Sequence, residues 1–173
     1  MVPRSAYYSW QKVVGKNLKF LSDRMLGKLA KYLLMLGFDT LYFTKNDPSQ
    51  LIDLAVKQNR IILSRDTKLK RFLNLPEHLF ITEDLPEKQF RQVVESFKLK
   101  LDQKKLFTRC LRCNQRLLKK TPEEVKHLVP QYILTIHREF SICPQCKRVY
   151  WRGSHQKGME EIIKKVFRDS RIQ

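Results

Sequence analysis

The sequence predicts an α/β fold, in which a small, mainly parallel sheet is flanked by helices and followed by a C-terminal module built on cysteines. Short apolar segments alternate with amphipathic helical patterns over residues 18–105, as is typical of strands joined by helical crossovers. Several of these apolar segments run into an aspartate. All four cysteines stand in two C-x-x-C pairs after residue 107, where the alternation ends.

The first strand is predicted at residues 18–22 and the first helix from Asp23 onward. Apolar residues at helical spacing give this helix one buried face, and Gly37 stands where a C-cap glycine ends a helix. The opposite face carries three cations, namely Arg24, Lys28 and Lys31. They are either a solvated helix face or an anion-binding stripe that begins beside Asp23.

The alternation continues through three more strands. Strands are expected at residues 39–44, 61–64 and 79–82, and helices at residues 48–58, 67–73 and 86–101. Asp47 and Pro48 have the form of a helix start, with a capping side chain and a proline at the first position. We therefore expect one α/β domain over residues 18–105, with an N-terminal extension at residues 1–17.

Residues 106–173 are predicted to form a second module that ends in a C-terminal helix. Thr121 and Glu124 have the spacing of a capping box. The segments at residues 132–136 and 148–151 are rich in residues that favour strands, and the last helix is expected at about residues 157–168.

The cysteine pairs are the most specific chemical signal in the sequence. Cys110 and Cys113 form one knuckle, and Cys143 and Cys146 form another, so four thiolates can surround one tetrahedral ion. Four sulfur ligands leave no open coordination position, which predicts a structural zinc ribbon. A redox dithiol or disulfides are the alternatives, and the compartment argues against them. The sequence has no apolar run of about 18 residues and no secretory signal, which predicts an intracellular, cytoplasmic protein without a membrane partner.

The charge balance predicts a polyanionic partner. With 35 Lys and Arg against 17 Asp and Glu, the net charge is +18, and nucleic acid is the commonest partner for such an excess. Cations and aromatic residues are interleaved around the cysteines, a combination that suits single-stranded RNA. The candidate RNA-binding residues of this module are Arg109, Arg112, Arg116, Lys120, Arg148, Tyr150, Trp151, Arg152 and His155. The alternative is that the two large aromatics only pack inside the module.

Acidic residues suggest a second site. Two or more carboxylates can hold Mg²⁺ or Mn²⁺ against a scissile phosphate. Asp23 and Asp66 end successive strands, Asp47 starts a helix, and Asp84 follows the fourth strand. Each of them also stands where a helix N-cap would, so capping is the alternative role.

The segments Phe20–Leu33, 36–40 and 60–66, with the residues around both cysteine pairs and the run Tyr150–His155, resemble the Mut-seven C-terminal ribonuclease domain. The resemblance implies a PIN-like nuclease fold with an appended zinc ribbon. Such domains occur alone in prokaryotes and at the C-terminus of Nibbler-type 3′-to-5′ exonucleases. By position, Asp23 and Asp66 are then the strand-end metal ligands and Asp47 or Asp53 the helix acid.

Two functions follow from these features. The first is a Mg²⁺- or Mn²⁺-dependent ribonuclease in RNA processing or small-RNA 3′-end trimming, with Asp23, Asp47 and Asp66 at its centre and Asp53 and Asp84 as further candidates. Arg65, beside Asp66, joins the expected RNA contacts. The second is a noncatalytic single-stranded-RNA-binding module of a larger exonuclease. A protein partner in an RNA-processing complex is a third role consistent with the sequence.

Overall fold

The structure is a computed structural model that describes residues 18–170. The strands are β1 (Lys19–Ser22), β2 (Asp39–Tyr42), β3 (Ile61–Ser64), β4 (His78–Phe80), β5 (Leu118–Lys120), β6 (Phe140–Ile142) and β7 (Val149–Trp151). The α-helices are α1 (Gly27–Met35), α2 (Pro48–Gln58), α3 (Pro86–Ser96), α4 (Pro122–Val125), α5 (Gln131–Ile136) and α6 (Ser154–Asp169), and a 3₁₀ helix spans Thr67–Arg71. The N-terminal extension expected at residues 1–17 lies outside the described residues.

Two sheets organise these elements. The first has the order β2-β1-β3-β4 with every pair parallel, and the second has the order β5-β6-β7 with both pairs antiparallel. Helices connect the parallel strands, so the predicted α/β fold with a mainly parallel, helix-flanked sheet is confirmed. Because β1 and β3 are the central strands, their carboxyl ends meet side by side, with Ser22 opposite Leu63.

The parallel sheet is buried on both faces, as expected for crossover helices. Phe20 and Leu63 face a large core that α1, α3 and α6 cover. Their neighbours Leu21 and Ile62 face the other side, where α2 and the 3₁₀ helix cover them. Burial on both faces explains why the central strands β1 and β3 are mostly apolar along their length.

The C-terminal helix belongs to the packing of the parallel sheet. Ile163, Val166 and Phe167 of α6 are buried in the same core as α1 and α3. An ion pair between Arg91 and Asp169, 2.7 Å long, ties α6 to α3. Within residues 18–170, no helix has the length and apolar character needed to cross a membrane.

The prediction that Asp23 starts the first helix is wrong. The helix α1 begins at Gly27, and the Asp23 carboxylate instead accepts a hydrogen bond from the Met25 amide, 2.8 Å long, inside a turn. Arg24 therefore lies in that turn and not on the helix, which leaves Lys28 and Lys31 as the cations of α1.

The strand-prone segment at residues 132–136 is also not a strand, because it forms the helix α5. Pro130 precedes this helix with φ −60°, a value that its ring fixes and that suits a helix start. Ile133 is the buried residue of α5, while Tyr132 and Ile136 are exposed. Local strand propensity was a weaker determinant here than the entry geometry and one buried anchor.

Candidate nucleic-acid site and metal centre

Asp23 occupies the carboxyl end of β1 and is 4% exposed. One of its oxygens accepts hydrogen bonds from the Ser64 hydroxyl and from the Arg65 amide, the latter 2.9 Å long. The other oxygen accepts from the Met25 amide. A carboxylate offers about four acceptor positions, so these donors leave about one position for a metal ion or a water molecule. Asp23 thus joins β1 to β3 and still presents one acceptor.

Asp66 and Asp47 are both N-cap residues. The Asp66 carboxylate accepts the Lys68 amide at 2.9 Å at the start of the 3₁₀ helix. The Asp47 carboxylate accepts the Gln50 amide at 3.0 Å and the Gln50 side chain at 2.8 Å at the start of α2. Each carboxylate keeps free acceptor positions, so capping does not exclude metal binding at either residue.

These three aspartates line one depression at the carboxyl end of the sheet, which we call the acidic depression. Its wall is completed by Arg24, Met25, Phe43, Lys45, Asn46, Pro48, Leu51 and Leu69. The free volume is about 20 Å³, which is room for about one water-sized particle. A single ion or an attacking water fits this space, and a nucleobase does not.

The three carboxylates do not form a closed coordination sphere. Among residues 18–170, only the cysteine quartet brings three or more candidate ligand atoms within 4.8 Å of one another. Mg²⁺ commonly keeps several of its waters and uses one or two carboxylates. The residues of the acidic depression fit that kind of ion and do not fit an all-protein cage.

The other two candidate acids lie elsewhere. Asp53 is exposed on α2 and does not line the acidic depression. Asp84 is also exposed and forms an ion pair with Arg65. The Gln89 side chain donates to the backbone carbonyls of Glu83 and Asp84 at 3.1 and 3.0 Å, which holds the Asp84 loop in place.

Cations surround the acidic depression. Arg24 is exposed on its wall, and Lys45 lies beside it with its ammonium donating to the Gln50 side chain at 2.9 Å. Lys28 on α1 and Lys68 after Asp66 are exposed as well. A polyanion that approached the three carboxylates would therefore meet compensating positive charge at the rim.

The four cysteine sulfurs lie within 4.8 Å of one another, close enough to hold one metal ion. The sulfurs of Cys110 and Cys146 are 3.7 Å apart, and two sulfurs of a tetrahedral zinc site with bonds of about 2.3 Å are separated by about 3.8 Å. The Cys113 amide points at the Cys110 sulfur at 3.3 Å, and the Cys146 amide points at the Cys143 sulfur at 3.5 Å. The four residues can bind a structural metal such as zinc, which is compatible with a zinc ribbon.

The thiols of this centre differ in acidity. Burial raises the pKa of Cys110, but hydrogen bonds from the Tyr150 hydroxyl and from the Cys113 and Arg112 amides outweigh it and lower the pKa to about 6. Burial and the neighbouring sulfurs raise the pKa of Cys113 to about 12. The lowered pKa of Cys110 favours its thiolate, whereas metal binding at Cys113 must displace a proton.

The aromatic residues of the module are partly used inside it. The Tyr150 hydroxyl contacts the Cys110 sulfur at 3.2 Å and accepts the Leu111 amide at 3.2 Å. Burial raises the pKa of Tyr150, and the Cys110 sulfur raises it further. Trp151 packs against the small core around Phe140. Both rings are half-buried, so they support the metal centre whatever else they contact.

The basic residues around the cysteines are mostly exposed. The exposed ones include Arg112, Arg116, Arg148 and His155. Arg152 is paired with Glu160 at 3.1 Å, and Lys120 with Glu124 at 2.6 Å.

Arg109 belongs to a network that joins the cysteine module to the parallel sheet. Its guanidinium donates to the Gly37 carbonyl at 2.9 Å and to the Asn114 carbonyl at 2.8 Å. The Asn114 amide group donates to the Asp39 carboxylate at 2.7 Å, and Arg60 forms an ion pair with the same carboxylate oxygen at 2.6 Å. We call these four side chains, Asp39, Arg60, Arg109 and Asn114, the amino-end network, because Asp39 begins β2 and Arg60 precedes β3.

The network shifts the acidity of Asp39. Burial raises the pKa of this carboxyl, but the hydrogen bonds and charge of Arg60 and the hydrogen bond of Asn114 outweigh it, so the pKa is lowered. Asp39 is therefore held as a carboxylate at neutral pH.

The two candidate sites lie at opposite ends of the parallel sheet. The acidic depression is at the carboxyl end, and the Cys110–Asn114 knuckle docks through the amino-end network. Strands of four residues at about 3.3 Å per residue place these ends on the order of 10 Å apart. A strand of RNA that contacted both sites would have to cross a side of the sheet.

Several residues that the structure places at these sites were not identified from the sequence. Ser64 is one, and its position two residues before Asp66 was the available signal. Asp39 and Asn114 are others, and they are 75 positions apart, so no local pattern joins them. Tyr42 ends β2, and the alternating pattern of residues 39–44 predicts a strand there without indicating any further role.

Comparison with known protein families identifies a match over most of the chain. The family model described as "Mut7-C RNAse domain" matches residues 18–163, which include both the parallel sheet and the cysteine module. No curated protein and no solved structure matches the chain.

Proposed function

This chain belongs to the Mut7-C RNAse domain family, and from that membership we propose that it is a metal-dependent ribonuclease of the PIN-like type that acts on single-stranded RNA. RNA processing or 3′-end trimming of small RNAs is the proposed setting. The observation that carries the proposal is that Asp23, Asp47 and Asp66, from three separate elements, line one depression of ion size. Membership of an RNase domain family supports an RNA-related function.

Each aspartate has a distinct proposed role. Asp66 and Asp47 keep free acceptor positions and would hold Mg²⁺ or Mn²⁺, while Asp23 offers one acceptor and fixes the two central strands. When bound, such an ion activates water and offsets negative charge on the phosphate. Arg24 and Lys45 would bind the flanking phosphates, since both are on the wall of the acidic depression.

The cysteine module is proposed to hold a structural zinc ion and to extend the RNA surface. Arg112, Arg116 and Arg148 are exposed cations that would contact phosphates without reading sequence. RNA affinity should then fall steeply as salt is raised, because phosphate neutralisation releases counterions.

The test is cleavage of labelled single-stranded RNA in Mn²⁺ by the whole chain and by Asp47→Asn and Asp66→Asn. Asparagine caps a helix about as well as aspartate, so these variants remove the charge and keep the fold. Asp53→Asn, on the exposed part of α2, is the matched control. We expect the two variants to lose at least about 10- to 100-fold in rate, since mutation of even the partners that support a metal ligand costs that much, and we expect no loss in the control. Equal rates in all four proteins would contradict the proposal.

Asp23→Asn is a poorer test of catalysis. An amide nitrogen in place of one oxygen would face the Ser64 hydroxyl or the backbone amides that now donate to Asp23. The variant should lose on the order of 1–3 kcal/mol of stability through an unpaired donor. Its loss of activity would therefore mix folding with chemistry.

The second candidate function is a noncatalytic single-stranded-RNA-binding module. The observation that favours it is that the three carboxylates do not converge within 4.8 Å and that all three accept local backbone amides. It predicts RNA binding that survives Asp47→Asn and Asp66→Asn together, with no cleavage by the unaltered chain, and that weakens when Arg112 and Arg116 are neutralised.

A further inference from the structure

Tyr42 is an exposed aromatic residue beside the acidic depression. It ends β2, the outer strand of the parallel sheet, and lies opposite Ser22 in register. The next residue, Phe43, donates its amide to the Ser22 carbonyl at 2.8 Å and lines the acidic depression. Tyr42 itself is 46% exposed. The backbone thus places Phe43 in the wall of the depression and the preceding residue, Tyr42, on the surface just outside it.

The position of the Tyr42 ring is fixed by two contacts. Its hydroxyl donates to the Arg24 carbonyl at 2.8 Å, in the turn that also carries Asp23. The ring also lies close against Gly27, where an added Cβ would be only 3.2 Å from the ring carbon that bears the hydroxyl. An exposed tyrosine is usually free to change rotamer, whereas this one is held against the turn that forms the depression.

The surroundings of Tyr42 suit an anionic ligand with flat groups. Arg24 is exposed on the turn that the Tyr42 hydroxyl contacts, and Lys28 is exposed on α1, which follows that turn. Met25, on the same turn, adds an apolar side chain that is 52% exposed. Aromatic rings next to cations are how proteins hold single-stranded nucleic acid, because every base has a face that can stack while the cations contact the phosphates. The free volume of the acidic depression admits an ion or a water but not a base, so a base must lie outside it.

We propose that Tyr42 is a stacking platform for the nucleobase adjoining the phosphate that lies over the acidic depression. This inference rests on the proposed function and adds a positioning residue to it. Stacking would fix the nucleotide next to the three carboxylates and would be indifferent to base identity, because it uses no hydrogen bonds to base edges. The exposed Tyr132 on α5 is not held by the same pair of contacts and serves as the comparison.

The experiment measures the affinity of the whole chain, loaded with zinc at its four cysteines, for a short single-stranded RNA without Mg²⁺ or Mn²⁺, so that cleavage does not interfere. Tyr42→Leu should weaken binding about 5- to 150-fold, the effect of losing one stacked base. Tyr42→Phe keeps the ring and should stay within about threefold of the unaltered chain, and Tyr132→Leu, the matched control, should do the same.

A second measurement uses RNAs with a single abasic nucleotide placed at each position in turn. One position should weaken binding to the unaltered chain by about the same factor as Tyr42→Leu, and the same RNA should show no such additional loss with Tyr42→Leu, because the base and the ring are two halves of one contact. The arm with the unaltered chain needs no variant, so the absence of any sensitive abasic position overturns the platform even if Tyr42→Leu folds poorly.

The outcomes separate the platform from the proposed function. If the unaltered chain binds RNA but Tyr42→Leu binds equally well, or no abasic position matters, the platform is overturned and the ribonuclease proposal stands. If the unaltered chain does not bind RNA at all, both are overturned. An equal loss with an abasic position in both proteins would place the base on another residue and would also overturn the platform.

Discussion

Replacing Asp39 by asparagine should destabilise the fold through Arg60, and the structure sets the size of the effect. Arg60 is 8% exposed, and its guanidinium forms a 2.6 Å ion pair with the Asp39 carboxylate. Breaking a fully buried pair costs about 3–5 kcal/mol because one charge is left uncompensated. The Asp39 side chain is 26% exposed, so water screens part of this penalty, and asparagine can still accept one hydrogen bond. We expect a loss of about 2 kcal/mol.

The measurement is urea unfolding of the metal-loaded chain at pH 7, with Asp53→Asn as the control. Asp53 is exposed on α2, and its replacement should change the free energy of unfolding by less than about 0.5 kcal/mol. Loss of the carboxylate also removes the charged acceptor of Asn114. If the cysteine module then separates from the sheet before global unfolding, the dependence of the unfolding free energy on urea concentration should differ from that of the unaltered chain.

The pH dependence gives a second check on the same residue. Burial raises the pKa of Asp39, but Arg60 and Asn114 outweigh it, and the folded-state pKa lies below the ordinary value of 3.8. The carboxylate therefore contributes its full stability above the unfolded-state pKa and loses it as the pH falls through the lowered folded-state pKa. The difference between the unaltered chain and Asp39→Asn should be largest near pH 7 and shrink below about pH 4. A difference that is absent at pH 7, or that does not change down to the lowest pH at which the chain stays folded, would refute this reasoning.

Three further perturbations test other parts of the structure. Gly37→Ala should destabilise the chain by more than about 1 kcal/mol, because Gly37 has φ +84° and an added Cβ would collide with the backbone of Lys105. Gly158 lies in an open part of α6, so Gly158→Ala should stabilise the chain by up to about 1 kcal/mol. Thermal unfolding of the two variants distinguishes these effects. Tyr150→Phe should weaken zinc binding roughly 10- to 100-fold, since the hydroxyl contacts a ligand sulfur, while Tyr132→Phe should leave it unchanged in a chelator competition. Arg112→Gln should lower the magnitude of the salt slope of RNA binding by about one without altering cleavage chemistry, and an unchanged slope would remove Arg112 from the RNA surface.

Most of the correctly predicted features of the fold depend on residues that are close together in the sequence. The helix start at Asp47 and Pro48 is confirmed by the hydrogen bond from the Gln50 amide. The capping box of Thr121 and Glu124 is present as predicted. A hydrogen bond from Lys120, together with those of the capping box, lowers the pKa of Glu124 to about 2. Such features involve residues within four positions of one another, so the sequence alone contains them.

The errors arise where distant residues compete with local preference. Asp23 looks like a helix cap because nothing nearby shows that Ser64 and Arg65, more than 40 positions away, donate to its carboxylate. The docking of Asn114 on Asp39 is equally invisible, and it is what places the cysteine module at the amino end of the sheet. The roles of the aspartates and of the basic residues stay predictions that the experiments above address.

The Asn114 side chain accepts a hydrogen bond, 3.2 Å long, from the Thr40 amide on β2. β2 is an edge strand, and edge strands with free amides can pair with the same strand of another molecule. Asn114 directly follows Cys113 and has φ 63°, so the geometry of the cysteine knuckle positions its side chain against Thr40. If the four thiols hold a metal ion, its removal should uncover this strand edge, and we expect aggregation that grows with protein concentration.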